Sequence, residues 1–261
     1  MRSRSTIAHP GVPHRAMTLR RDNAIAGVVH LAQAIGVLLL ATSFALPVTA
    51  SYLQGPPGTA PQDPLTLFEI PTGAAVAAFL ALSALAHALV CTGWWRSYLA
   101  DLDRSRNPAR WVEYSVSSSL MIVLIAQLVG ISDVAALVAL FGVNAAMILF
   151  GWLQERYEEP GGHGWLPFTF GCVAGIIPWL AIGTYLLSPG SASSATPPGF
   201  VYGIFISLFV FFNSFALNQW LQYRARGRWS DYLFGERIYI VLSLTAKSVL
   251  AWQIFAGTLA A

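Results

Sequence analysis

Four ionisable side chains lie inside long apolar stretches of this sequence, where a charged group is costly unless it has a partner. Lys247 lies in "SLTAKSVLAWQ", Glu113 in "RWVEYSVSSSLM", and His30 and His87 in two further apolar stretches. Lys247 is the only lysine, because the other fourteen of the 15 basic residues are arginine. A desolvated lysine loses its proton readily and can attack an aldehyde. The resulting imine would stay positive, and Glu113 is the only candidate for its counter-ion.

The relative depth of these residues supports this pairing. Counted from the start of their apolar stretches at about 1.5 Å per residue, Lys247 lies near the membrane midplane and Glu113 lies shallower. A helical side chain leans toward the N-terminus of its helix, so Lys247 leans toward Glu113, and Ser243 lies between them one turn below the lysine. A salt bridge that only joins two helices remains the alternative interpretation of the pair.

The composition identifies an integral membrane protein. Of the 261 residues, 56% are hydrophobic and 10% are charged, and the mean hydropathy is +0.59. Soluble domains carry charge on about a quarter of their residues. We predict an all-α bundle of seven transmembrane helices in residues 23–261, preceded by a basic cytoplasmic tail in residues 1–22. The seven spans are expected near 24–50, 72–99, 109–130, 134–154, 165–188, 199–222 and 232–259.

The arginines occur in some connections between the spans and are absent from others, and this distribution predicts the orientation of the bundle. They flank the N-terminus, the connection from the second to the third span, the end of the fourth span, and the connection from the sixth to the seventh. The connections near 51–71, 131–133 and 189–198 carry no Lys or Arg. By the positive-inside rule the N-terminus is cytoplasmic and the C-terminus extracellular. The Pro- and Gly-rich segment 51–71 is best interpreted as an outer loop.

Titratable groups inside the spans lie only toward the cytoplasmic side. Glu113, Lys247, His30 and His87 all fall in that half, whereas the outer half offers no carboxylate or histidine. Groups such as Arg110, Glu155 and Glu236 are placed at span ends. A proton pump needs titratable groups on both sides of its switch, so this distribution argues against pumping. No metal-ligand spacing, nucleotide-binding motif or nucleic-acid partner is indicated.

Residues at the depth of Lys247 supply the aromatic and small side chains that an elongated polyene would need. Each one taken alone is also typical of ordinary helix packing. Trp252, five residues beyond the lysine, is the ring expected to pack along such a ligand. The candidate pocket residues are Tyr114, Asn144, Met147, Ile148, Gly151, Pro178, Phe212, Gln219 and Trp252.

With these residues in place, the chain resembles one branch of the microbial rhodopsins, the heliorhodopsins. The resemblance rests on an inside N-terminus, a lysine in the last of seven helices, and the motifs "RWVEYSVSSSLM", "FFNSFALNQW" and "SLTAKSVLAWQ". It implies a retinal protein with Lys247 as the Schiff-base attachment, Glu113 as counter-ion and Ser243 beside the Schiff base. It implies that His30 and His87 form a polar cavity that takes up or relays the proton.

The same resemblance implies further properties of the whole protein. These are all-trans retinal in the dark, a homodimer in the cell membrane, some strand structure in the outer first loop, and a slow photocycle suited to sensing. Proton pumps of the superfamily carry a second carboxylate on the third helix. Here Leu124 stands eleven residues after Glu113, followed by Gln127, which agrees with the absence of titratable groups in the outer half.

The function expected from these observations is a light sensor without enzymatic activity of its own, acting on an unidentified cytoplasmic signalling partner. A light-driven or light-gated ion transporter is the first alternative, and a sustained electrogenic signal on illumination would favour it. A membrane protein without chromophore, or a membrane enzyme that uses Lys247 as nucleophile, is the second. Absence of a visible absorption band after addition of retinal would favour this second alternative.

Overall fold

A computed structural model describes residues 12–187 and 197–259. Seven helices in this part of the chain are long and apolar enough to cross a membrane, in agreement with the predicted bundle. The elements are α1 (Val12–Leu40), β1 (Ala45–Ala50), β2 (Leu65–Pro71), α2 (Thr72–Cys91), α3 (Trp95–Leu102), α4 (Pro108–Leu128), α5 (Val134–Tyr157), α6 (Leu166–Leu187), α7 (Gly199–Arg224), a 3₁₀ turn (Gly227–Ser230) and α8 (Tyr232–Leu259).

The first predicted span, 24–50, is wrong at both ends. The helix α1 already begins at Val12, so the described part of the predicted tail is helical; residues 1–11 lie outside the described residues. The helix ends at Leu40, and residues 45–50 form a strand in which Val48 and Ala50 are buried while Thr49 is not. Pro47 disfavours a continued helix at this point, and alternate burial is the period of a strand.

The second predicted span, 72–99, consists of two helices. The helix α2 ends at Cys91, and the short helix α3 begins at Trp95 after a Thr-Gly break. The Arg20 side chain on α1 donates from Nε and Nη2 to the Cys91 carbonyl oxygen at 3.0 and 2.8 Å. This donation satisfies a carbonyl group that the end of a helix leaves without a partner.

The remaining predicted spans agree with α4 to α8 to within about three residues at each end; residue 188, the predicted end of the fifth span, lies outside the described residues. The end of the bundle where α1, α4, α6 and α8 begin carries the arginines and is called the arginine-rich end. The opposite end, where α2 begins and α1 ends, is called the hairpin end.

A β-hairpin lies at the hairpin end; its first strand falls in the predicted first span, and its second strand falls in the segment predicted as loop. The strands β1 and β2 pair antiparallel, with an irregularity between Val48 and Thr49, and β2 leads directly into α2. The Thr49 amide donates to the Ser132 carbonyl oxygen at 2.8 Å, and the side chain of Gln127 donates to the Pro47 carbonyl oxygen at 3.3 Å. The strand structure implied by the resemblance is therefore present, and it is attached to the α4–α5 connection.

The hairpin half of the bundle has an apolar core, and the buried charged residues lie outside that core. Close packing of α1 against α2 depends on Gly27, since a Cβ atom there would lie 3.1 Å from the Cβ of His87. This close approach brings the two predicted histidines to the same interface. The core of the hairpin half contains Phe79, Ile122, Ile125, Ile182, Ile204, Leu208 and Leu250, all fully or almost fully buried.

Candidate functional site

The helices α2, α4 and α8 bring together a buried polar group that we call the lysine network: Ser83, Glu113, Ser243 and Lys247. Lys247 Nζ lies 2.7 Å from Glu113 Oε1 and donates to Ser243 Oγ at 3.0 Å. Lys247 exposes 3% of its surface and Glu113 exposes 9%. The lysine thus reaches the carboxylate directly, and Ser243 supports it from one turn below rather than bridging the two.

Ser83 is the member of this network that sequence reasoning missed. Its hydroxyl lies 2.6 Å from Glu113 Oε1, the same oxygen that Lys247 contacts. A single serine in an apolar span gives no signal by itself. A signal existed in its spacing, because Ser83 precedes His87 by four residues and therefore shares its helix face.

The two predicted histidines lie next to each other, where α1 packs on α2. Their rings stack with centroids 5.8 Å apart and planes inclined by 14°. His87 Nδ1 lies 2.7 Å from Asn23 Oδ1, whereas neither ring nitrogen of the buried His30 has a hydrogen-bond partner among the described residues. Asn23 in turn contacts Tyr98 on α3, and burial raises the pKa of that tyrosine to about 12.

A cavity of about 180 Å³ opens beside Lys247 between α4, α5, α6, α7 and α8, and its walls are largely apolar. Its lining along α6 extends from Phe168 to Trp179, about 16 Å of helix. A long apolar ligand with one reactive end fits this arrangement, because the amine lies at the wall. Eight of the predicted site residues line the cavity: Tyr114, Met147, Ile148, Gly151, Phe212, Gln219, Ser243 and Lys247.

Four of the predicted ligand-binding residues do not line the cavity: Glu113, Asn144, Pro178 and Trp252. Glu113 contacts Lys247 without reaching the cavity wall. Asn144 donates to Ser118 Oγ at 2.9 Å and to Ser119 Oγ at 3.0 Å, so it connects α5 to α4. Pro178 is buried within α6, directly before Trp179.

The expectation for Trp252 is wrong, because the structure places its ring elsewhere. Trp252 is 41% exposed and packs edge-on against Phe255. Five residues correspond to about 500° around a helix, so Trp252 points about 140° away from Lys247. The large rings that do line the cavity include Trp111, Trp179, Phe215 and Tyr239. Sequence reasoning had matched the depth of Trp252 without its angular position.

A second buried polar group, the Arg110 cluster, joins α4, α5 and α8 at the arginine-rich end. It consists of Asn107, Arg110, Glu155 and Glu236, each at most 7% exposed. Arg110 donates from Nη2 to Glu155 Oε1 at 2.7 Å and from Nη1 to Glu236 Oε1. The prediction that these charges are ordinary flanking residues at span ends is therefore wrong. Packing of three helices removes them from solvent.

Asn107 belongs to this cluster and is also the N-cap residue of α4. Its side-chain oxygen accepts from the Arg110 amide at 3.1 Å, which caps the helix, and Pro108 occupies the first turn. Its own amide donates to Glu155 Oε2 at 2.8 Å, and its side-chain nitrogen donates to Glu236 Oε2 at 2.7 Å. The local signal that starts the helix therefore also fixes both carboxylates.

Comparison with known families agrees with this geometry. The family model for heliorhodopsins matches residues 19–259, nearly the whole chain. The chain belongs to the heliorhodopsin family. No curated protein matches it at a significant level. Membership implies a retinal-binding, rhodopsin-type membrane protein of a photoreceptor family that is not known for enzymatic activity.

The Lys247 amine and the cavity of this heliorhodopsin fit a retinal molecule. Among the described residues, Lys247 is the one primary amine at the cavity wall, and a carboxylate stands beside it. The apolar lining accommodates a polyene, and Gln219, fixed by donation from Nε2 to the Gly151 carbonyl oxygen at 2.8 Å, is one of its few polar side chains.

Replacement of Arg110 by Ala should destabilise the protein by about 3–5 kcal/mol, because it leaves two buried carboxylates without their cation. The matched control is Arg237→Ala. Arg237 pairs with Asp22 at 2.8 Å but is 53% exposed, so its loss should cost at most about 1 kcal/mol. Unfolding free energies in detergent micelles measure both effects. Equal losses in the two variants would contradict the assigned role of the Arg110 cluster.

Proposed function

We propose that this protein is a retinal-based photoreceptor in which Lys247 carries all-trans retinal as a protonated Schiff base. The observation that carries this proposal is the position of the only lysine of the chain. It is buried, lines an apolar cavity, and lies 2.7 Å from a buried carboxylate. An amine kept only for an ion pair between two helices would have no need of a cavity.

Attachment follows ordinary imine chemistry. Lys247 would hold retinal through a carbon–nitrogen double bond between its neutral amine and the aldehyde carbon, with the carbonyl oxygen and the two amine hydrogens released as water. Protonation of the imine restores the positive charge that the lysine had, so Glu113 keeps its ionic partner. Ser83 contacts the carboxylate, and Ser243 accepts from the nitrogen. Bound retinal supplies a double-bond isomerisation driven by light.

The distribution of titratable groups supports sensing rather than pumping. His87 lies one helical turn from Ser83 toward the arginine-rich end and stacks on His30, and Asn23 and Tyr98 continue the polar contacts toward that end. Beyond Lys247 and His30 toward the hairpin end, the seven spans contain no further Asp, Glu, Lys, Arg or His. We infer that the proton moves toward the arginine-rich end and returns by the same route.

The arginine distribution supports a cytoplasmic location for the N-terminus in the cell membrane. The light-induced change would then reach an unidentified cytoplasmic signalling partner. The exposed arginines there also suit anionic lipids, which is the more general role of such residues. A homodimer completes the proposal on the basis of the family alone.

Replacement of Lys247 by Arg should abolish the visible band that all-trans retinal produces with the unchanged protein. Arginine keeps a cation beside Glu113, so folding should be preserved, but it cannot readily form the imine. In Lys247→Ala, retinal already condensed with a small alkylamine should restore a visible band, because the cavity remains. Absorption spectra record each outcome. A normal band from the arginine variant with free retinal would place the attachment elsewhere.

Replacement of Glu113 by Gln should shift the visible band to the red and lower the pH at which the protonated band is lost. The reason is that removal of the negative charge weakens the protonated form of the imine. Glu236→Gln is the control, since Glu236 is equally buried but does not contact Lys247. A spectrum and titration unchanged in Glu113→Gln would show that Glu113 is not the counter-ion.

A further inference from the structure

Two aromatic rings lie between the Arg110 cluster and the ligand cavity. Trp111 and Tyr239 both line the cavity, and the Arg110 guanidinium carbon lies 4.4 Å and 3.9 Å from their ring centroids. The two rings meet edge-on at 6.0 Å. A ligand in the cavity therefore contacts one side of an aromatic wall whose other side contacts a buried cation.

Trp111 makes the more specific of these two connections. Its Nε1–H donates to Glu155 Oε2 at 2.6 Å, a short bond to a charged acceptor. Its ring packs against Gly151, where a Cβ atom would lie 2.6 Å from Cζ3. The indole has no free space on the side of Gly151. A ligand in the cavity that displaces the ring must therefore change the contacts of the ring with Glu155 and Arg110.

The Arg110 cluster is sensitive to such a displacement. Glu155 accepts from Trp111, Arg110, the Asn107 amide and, at 2.7 Å, from Tyr232. Two carboxylates share one guanidinium, so each hydrogen bond to Glu155 helps to stabilise a buried negative charge. These bonds join α4, α5 and α8 at the arginine-rich end.

The lysine network does not account for this arrangement. Among the described residues it shares no hydrogen bond with the Arg110 cluster, and it joins α4 and α8 to α2 rather than to α5. We propose that Trp111 is a positioning residue that couples the ligand in the cavity to the Arg110 cluster through its hydrogen bond to Glu155. This inference rests on the proposed function, because it requires a ligand that changes shape.

Light-minus-dark infrared difference spectra of the full-length protein in liposomes, reconstituted with all-trans retinal, test the coupling. The unchanged protein should show a carboxylate band that disappears in Glu155→Gln, which assigns it. Trp111→Phe keeps an aromatic ring against Gly151 but lacks the N–H donor. It should retain a visible band and the response of Glu113 while losing the Glu155 band.

Trp179→Phe is the matched control. Trp179 also lines the cavity, but its ring packs on Phe205, Phe209 and Phe212, away from the Arg110 cluster. The Glu155 band should survive in this variant. If Trp111→Phe forms no pigment, Gly151→Ala replaces it, because the added Cβ displaces the indole and leaves the Arg110 cluster chemically unchanged.

The outcomes separate this inference from the proposed function. Absence of any visible band in the unchanged protein overturns both. A visible band without an infrared signal sensitive to Glu155→Gln overturns the coupling alone. So does a Glu155 band that keeps its full amplitude in Trp111→Phe, or in Gly151→Ala where that variant is used.

Discussion

Lys247 and Glu113 are both removed from solvent, and each charge is tolerated because the other lies 2.7 Å away. Desolvation of two charges costs more than an average ion pair returns, so such a pair is weak evidence for stability. Its persistence in the middle of a membrane bundle therefore indicates a function. A cation at this position can become a protonated imine without changing the local charge balance, which makes the pair compatible with both the free amine and the attached ligand.

The position of this pair divides the bundle into two halves. Toward the hairpin end, the spans contain apolar side chains and a few neutral polar groups, such as Gln127, whose side-chain nitrogen donates to the hairpin. Toward the arginine-rich end there are two polar systems. The lysine network, with the stacked histidines of α1 and α2 near it, joins α4 and α8 to α2, whereas the Arg110 cluster joins α4 and α8 to α5. The helices α4 and α8 contribute to both systems and are therefore the elements through which the two can act on each other.

The sequence predicted residues that stand out against their surroundings. Lys247 and Glu113 were recognisable because long apolar flanks make a charge conspicuous, and the helical period placed Ser243 beside the lysine. Seven spans followed from apolar length alone. Ser83 stayed hidden, since serine is common in membrane helices and its role depends on which helix faces it.

Other features depend on packing that no local pattern specifies. Arg110, Glu155 and Glu236 lie near span ends, where a charge normally meets water, and their burial results from the convergence of three helices. The strand at 45–50 was taken for helix because its partner, β2, lies fifteen residues later across a turn-rich loop. Trp252 shows the same limit on a single helix, since depth alone does not fix direction.

Identification of the residue to which the ligand is covalently attached tests the central claim most directly. The pigment formed with all-trans retinal can be reduced with borohydride, which converts the imine into a stable secondary amine, and the peptides can then be mapped by mass spectrometry. Because Lys247 is the only lysine of the chain, this account predicts a single retinyl group on the peptide that contains it. A retinyl group on the α-amino group of the chain, or on no peptide at all, would contradict it.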